Sequence, residues 1–270
     1  MSDRMPWLEP FALDEGQTAT VHVASFALQI LRRAREWRVT TATTNDLAAS
    51  EVVLKIPDPA PQPLAFTQDA HHARFAFDHA SPLQLRPRLA DRTVVVRPAD
   101  PLFLMPGATV DIYVSTIIWV VLELASDNTQ LIDRTAHRPS DTWFGPSTRV
   151  GELAYASLTS ARLDPHELPH RPNRATTRIR LVNDSPAPRS LERVMLPAPE
   201  LELWQLASGM LWTQGVELAL GSDEEAPVRL DPGPPALADH GEAGAAPVRV
   251  SPPRLLARKS LLVRAISAIF

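Results

Sequence analysis

Histidines and carboxylates are the side chains of this chain best suited to chemistry, and their spacing limits what they can do. His166 and His170 stand four apart, the interval that puts two metal ligands on one helix face. Pro165 and Pro169 bracket that segment and Pro172 follows. Proline lacks a backbone N–H and clashes with the preceding turn, so no helix is expected there. His71 and His72 are adjacent; on a strand, adjacent side chains face opposite ways and cannot grip one metal. His79 would join them only by coincidence. Surface histidines are the better reading, and no metal is expected. Among the acids, Asp223-Glu224-Glu225 follows Gly221-Ser222 as a solvated turn. A glycosidase needs two carboxyl groups about 5–9 Å apart across a cleft. Asp141 and Glu152, near Trp143, are the pair to consider for that role, but spacing along a chain does not make a cleft.

Other chemistries lack their residues. There is no cysteine, hence no thiolate nucleophile, thiolate metal site or disulfide framework. No Gly-x-Ser-x-Gly elbow, phosphate loop ending in Lys-Ser/Thr or His-Glu-x-x-His motif occurs. With only 10 glycines, nucleotide-cradling loops are not expected. No catalytic residue and no cofactor are assigned, and the expected role is non-catalytic.

Contact residues are easier to nominate. Trp143 and Phe144 lie beside Gly145-Pro146 in what reads as a loop, with Tyr155 shortly after. Aromatic side chains dominate recognition energetics, so these three are candidate partner-binding residues; the competing reading is a plug sealing one end of a sandwich. The last 20 residues are the second candidate. Leu255, Leu262, Ile266 and Ile269 recur at helical spacing, flanked by Leu256, Val263 and Phe270, which predicts a short amphipathic helix over 251–270. Its basic residues are Arg254, Arg258, Lys259 and Arg264, with no acid among them. Ordering such a helix costs about as much as its apolar stripe returns, so it should dock on something: its own body, a partner (through Leu262, Ile266, Ile269 and Phe270), or an anionic membrane surface.

The elements that must carry these residues read as strands. Short bursts of alternation run through the chain, separated by 27 prolines, which end strands and guard sheet edges. Phe26, Leu28 and Ile30 alternate, and Trp37 and Val39 continue the period, which gives a hairpin; a helix from Ser25 is the rival. Val110, Ile112 and Val114 alternate with Asp111, Tyr113 and Ser115. Residues 117–124 lose the alternation, which suggests burial on both faces and a bend within so long a strand. The polar stretch 126–141 reads as a domain boundary. The predicted fold is all-β, with two β-sandwich-like domains: an N-terminal β domain over 1–133 and a second over 134–230. A Pro/Gly/Ala linker over 231–250 and the basic tail helix over 251–270 follow.

Asp141-Thr142-Trp143-Phe144-Gly145-Pro146 and Gly151-Glu152-Leu153-Ala154-Tyr155-Ala156 resemble a block found in an uncharacterised prokaryotic family, domain-of-unknown-function family 432. So do Arg178-Ile179-Arg180-Leu181-Val182-Asn183, Leu196-Pro197-Ala198-Pro199 with Leu201-Glu202-Leu203-Trp204, and Gly209-Met210-Leu211-Trp212-Thr213. The resemblance is best over about 100–230. It carries no established activity and so supplies no catalytic residues. It does imply a membrane-protein partner of the small mechanosensitive channel kind, near which members are encoded.

Charge and compartment complete the expectation. Net charge is −4, and taking away the tail's +4 leaves −8 on the first 250 residues. An acidic body does not bind nucleic acid broadly. The N-terminus lacks the pattern of a signal peptide, and the longest apolar run, residues 117–122, is six long against roughly 18 for a membrane span. A cytoplasmic interaction or accessory protein is expected, membrane-associated only through a partner. Its partner would be another protein or a second copy of itself. The alternative is a carbohydrate-binding or carbohydrate-active module using Trp143.

Overall fold

The computed structural model describes residues 7–44, 52–57, 70–145, 149–220, 226–236, 246–255 and 261–263. Among them every regular element is a strand, apart from two three-residue 3₁₀ turns at Pro165–Glu167 and Ala198–Glu200. The protein is all-β. The chain forms two compact units that interleave along the sequence. One comprises Met1–Arg88, Ile118–Arg138 and Arg171–Asn173, and the other Leu89–Ile117, Pro139–His170 and Arg174–Phe270. A single boundary at 133/134 therefore does not separate them: Leu89–Ile117, on its N-terminal side, belongs to the second unit.

The first unit is built on an antiparallel sheet in the order Val52–Lys55, Thr18–Val23, Phe26–Arg33, Glu36–Thr43, His71–Ala76. The expected hairpin is present, with Leu28 opposite Thr41 and Ile30 opposite Val39. Period-2 alternation puts Ala19, Val21, Leu28, Ile30, Trp37 and Val39 on one face, all buried. A second sheet, Gln130–Arg134, Trp119–Leu124, Leu83–Arg88, completes the unit. Val120, Val121, Leu122 and Glu123 are all buried, so the lost alternation does mark burial on both faces. Glu123 tolerates that burial because Arg86 donates a hydrogen bond to its carboxylate; an unpaired buried charge would be costly. The bend falls at Ile118, between the strands Thr109–Ile117 and Trp119–Leu124, where the chain passes from one unit to the other. Within the stretch 126–141, Asn128 takes a left-handed φ of 58° and Asp127 Oδ1 accepts from Thr129 N at 2.9 Å. This is an Asx-type turn joining two paired strands, not a linker.

In the second unit Arg174–Asn183 is central. It pairs antiparallel with Thr109–Ile117 and parallel with Leu211–Thr213 and Val216–Leu220. Ala175, Thr177, Ile179, Leu181 and Asn183 are buried along one face. On the other face Arg180 makes a two-pronged ion pair with Asp111, at 2.9 and 3.0 Å, and Arg178 reaches Asp231 at 2.7 Å. Asp231 opens the anticipated linker, and Val248–Ser251 overlaps its end as a strand beside Leu203–Gln205; both ends of 231–250 are integral to the unit. A further sheet runs Asp141–Phe144, Glu152–Thr159, Val94–Pro98, Val194–Leu196.

The tail corrects the sequence expectation. Leu261–Val263 is a strand, antiparallel to Ala226–Leu230, where a helix is anticipated. Leu-Leu-Val fits strand and helix periods equally well at this length, and the edge of Ala226–Leu230 supplies hydrogen-bond partners that a helix would not use. Leu256, Arg258, Lys259, Arg264, Ile266, Ile269 and Phe270 lie outside the described residues. No described helix is long and apolar enough to cross a membrane.

Candidate functional site

Trp143 is placed by a hairpin rather than a loop. Asp141–Phe144 pairs antiparallel with Glu152–Thr159, Trp143 opposite Leu153 and Phe144 opposite Glu152. Alternation then divides the aromatics. Phe144 turns inward, 2% exposed, with the Arg193 guanidinium 5.9 Å from its ring centroid. Trp143 turns outward at 44% exposure, beside Leu153 at 47%. Val150, 51% exposed, belongs to the connection between the two strands.

Glycine makes that connection tight. A Cβ on Gly145 would stand 2.1 Å from the Val150 carbonyl oxygen and 2.4 Å from Gly151 Cα. A Cβ on Gly151 would meet the Phe144 oxygen at 2.5 Å and Trp143 Nε1 at 2.8 Å. The two backbones therefore cross at a separation that excludes any side chain, and the indole edge lies against the crossing. Trp143 is thus held by local geometry while much of its surface stays in solvent.

The rim of this surface is charged. Arg92 pairs with Asp141 at 3.1 Å, and its guanidinium carbon lies 5.4 Å from the centroid of the Tyr155 ring. Tyr155 is 2% exposed and donates from its hydroxyl to Asp91 Oδ1 at 2.9 Å. Phe144 and Tyr155 therefore support the hairpin, and Trp143, Val150 and Leu153 form its accessible apolar surface. Asp141 and Glu152 do not make a hydrolytic pair: Asp141 shares the face of Trp143 and is engaged by Arg92. Glu152 faces the other way and accepts from Thr93 Oγ1 at 2.5 Å.

These geometries accompany a family match over residues 7–270, described as protein of unknown function, DUF432. The chain belongs to this family. The match spans nearly the whole chain, beyond the 100–230 region where the resemblance is best. No curated protein and no solved structure matches. Of the family-like blocks, the one holding Trp143 builds the exposed hairpin. The one ending at Asn183 is architectural: the Asn183 amide donates to the carbonyls of Leu104, Met105 and Ala187 at 2.9, 3.1 and 3.0 Å.

His71 and His72 stand on opposite faces of their strand, as neighbours on a strand do. His166 lies in the Pro165–Glu167 turn, capped by Asp164. His72 Nδ1 is 3.1 Å from Thr40 Oγ1, whereas His71 lines a cleft on the opposite face of the sheet. Among the described residues no group of three metal-ligating side chains comes together. Arg254 is not a free tail cation; its Nε donates to the Leu89 carbonyl at 2.7 Å. Sequence reasoning misses the cleft beside His71. Its only local signal is the run Arg134, His137 and Arg138, inside the stretch that reads as a boundary.

Proposed function

We propose that the protein is a non-catalytic interaction protein that binds a protein partner through the hairpin surface of Trp143, Val150 and Leu153. The observation that carries this reading is a half-exposed tryptophan, fixed by the Gly145–Gly151 crossing and flanked by aliphatic side chains, with the Arg92–Asp141 pair at its edge. An apolar centre with a polar rim is the anatomy of a protein contact, and a rigid tryptophan is its commonest anchor. A sugar platform would call for further exposed aromatics in line with Trp143. Its immediate neighbours are aliphatic instead, and Phe144 and Tyr155 are buried.

The first partner class to try is the one implied by the family resemblance, a membrane protein of the small mechanosensitive channel type. Purified channel in detergent would be titrated with the full chain and with Trp143→Ala and Leu153→Ser, each checked for an unchanged thermal melt. Loss of a central anchor should weaken binding by about thirtyfold or more. Equal affinity of wild type and Trp143→Ala for a bound partner would overturn the assignment of this surface. A concentration-dependent dimer lost in Trp143→Ala would make the partner a second copy of the chain.

A further inference from the structure

The first unit holds an open cleft of about 250 Å³ that no step above uses. Its floor is the far end of the sheet's core face. Register puts Phe26 opposite Thr43 and His71 opposite Thr41, so these four continue the face that carries Leu28, Ile30 and Val39. There the apolar stripe turns polar. Its wall is the segment following Gln130–Arg134, tied down where Thr43 Oγ1 donates to the Ala136 carbonyl at 3.0 Å. Arg134, His137 and Arg138 come from that wall and His71 from the floor. Among the described residues no carboxylate lines the cleft; Asp133 alternates to the other side of its strand from Arg134. Thr135, also in the lining, has its hydroxyl oxygen buried without a hydrogen-bond partner.

We propose that this cleft binds a small dianionic oxyanion group, a phosphate or a phosphomonoester, between Arg134 and His71. Guanidinium presents parallel N–H donors that match phosphate oxygens, and Arg134 beside His71 and His137, with no acid among the described lining residues, is best balanced by more than one negative charge. The volume lies just under the roughly 300–1,000 Å³ of sites for drug-sized ligands, which limits the occupant to a small molecule. The state of His71 agrees. Burial chiefly, then the charges of Arg134 and His72, hold its pKa below the ordinary histidine value, which favours the neutral imidazole. An anion set beside it favours the imidazolium; binding takes up a proton and strengthens as pH falls through the imidazole range. His72 lies on the opposite face, and Arg134, His137 and Arg138 are the other charged or titratable groups of the lining.

Calorimetric titration of the full chain tests this with sulfate, inorganic phosphate and glycerol phosphate. Sulfate keeps its charge across the range, so its pH dependence reports the protein alone. Sulfate affinity should rise about tenfold between roughly pH 8 and pH 6. In His71→Gln that dependence should shrink, and with His137→Gln added it should vanish, while residual binding through Arg134 stays. Arg134→Gln should weaken all three anions about tenfold at every pH. Arg97→Gln, an exposed arginine of the other unit, should change nothing. Tighter binding of glycerol phosphate than of phosphate identifies an organic phosphate as the ligand, and equal affinity the free ion. Absence of saturation into the millimolar range, or equal losses in Arg134→Gln and Arg97→Gln, would overturn the site. Neither result bears on the Trp143 surface.

Discussion

Asn183 shows how one side chain can fix the course of three segments. It is fully buried, and its amide nitrogen serves the carbonyls of Leu104, Met105 and Ala187 while its oxygen accepts from Ser185 N at 3.1 Å and Ser185 Oγ at 2.7 Å. Two amide hydrogens answer three carbonyls, so the nitrogen must remain a donor. Asn183→Asp puts a carboxylate against three carbonyl oxygens in a fully buried site, and burying an uncompensated charge costs more than losing the hydrogen bonds. Urea unfolding at neutral pH should show Asn183→Ala destabilised by about 2–4 kcal/mol and Asn183→Asp by more. The reverse order would mean that the oxygen side of the amide carries the site. In sequence the residue closes the family-like block 178–183 and opens the turn-forming run Asn183-Asp184-Ser185-Pro186. Its acceptors lie nearly eighty residues upstream as well as close by, and no local pattern announces the distant ones. The cleft is illegible for the same reason: Arg134 in a polar stretch signals nothing until the fold brings His71 to the same cleft.

Hairpins are the elements that the sequence exposes best, because alternation and turn chemistry are both local. Phe26–Arg33 with Glu36–Thr43 is legible from its alternation, although a helix from Ser25 competes with it in the sequence. What the period does not reveal is how neighbouring strands accommodate each other's charges. Arg38 and Arg74 stand directly opposite across two strands, an unfavourable like-charge pair. Glu36 relieves it, accepting from the Nε atoms of Arg38 and Arg74 at 2.7 Å each. Hydrogen bonds from Arg38 and then Arg74 hold its carboxyl below the ordinary carboxylate range. A depressed carboxyl contributes stability that is in place above its unfolded-state pKa and is lost as pH falls through the lower folded value. Glu36→Gln should therefore lower the urea midpoint near pH 7, more at low salt than at high, and leave a shallower decline on acidification. An unchanged acid limb would assign that decline to other carboxylates. The Trp143 hairpin was harder to read, since Gly145-Pro146 after an aromatic pair looks like open loop. Its closure depends on atoms that glycine lacks: Gly145→Ala forces a methyl to 2.1 Å from the Val150 oxygen, and the backbones must separate. The expected cost is about 1–3 kcal/mol, with faster amide exchange through Asp141–Phe144 than in wild type. Protection equal to wild type would show that the crossing has room to relax.

At the scale of the molecule, the fold class follows from composition and alternation, but the division of the chain does not. A polar stretch near residue 133 resembles a boundary because turns and linkers share a composition; contacts distant in sequence decide which it is. The second unit draws Val94–Pro98 and Thr109–Ile117 from before that point. Val94–Pro98 lies between Glu152–Thr159 and Val194–Leu196 in its sheet, and Thr109–Ile117 pairs with Arg174–Asn183 from Arg174 to Val182. A fragment of residues 134–270 therefore lacks the middle of one sheet and the longest partner strand of the other. The strands Arg174–Asn183 and Glu152–Thr159 would each expose an unpaired edge, the condition that drives aggregation. Expressed alone, the fragment should show collapsed amide dispersion by NMR and no cooperative melt. Mixing with residues 1–133, which carry both missing strands, should recover a cooperative transition whose midpoint rises with concentration, because association then replaces chain connectivity. A cooperative melt from 134–270 alone would mean that the Val94–Pro98 and Thr109–Ile117 pairings are dispensable to the second unit. It would restore a consecutive pair of domains.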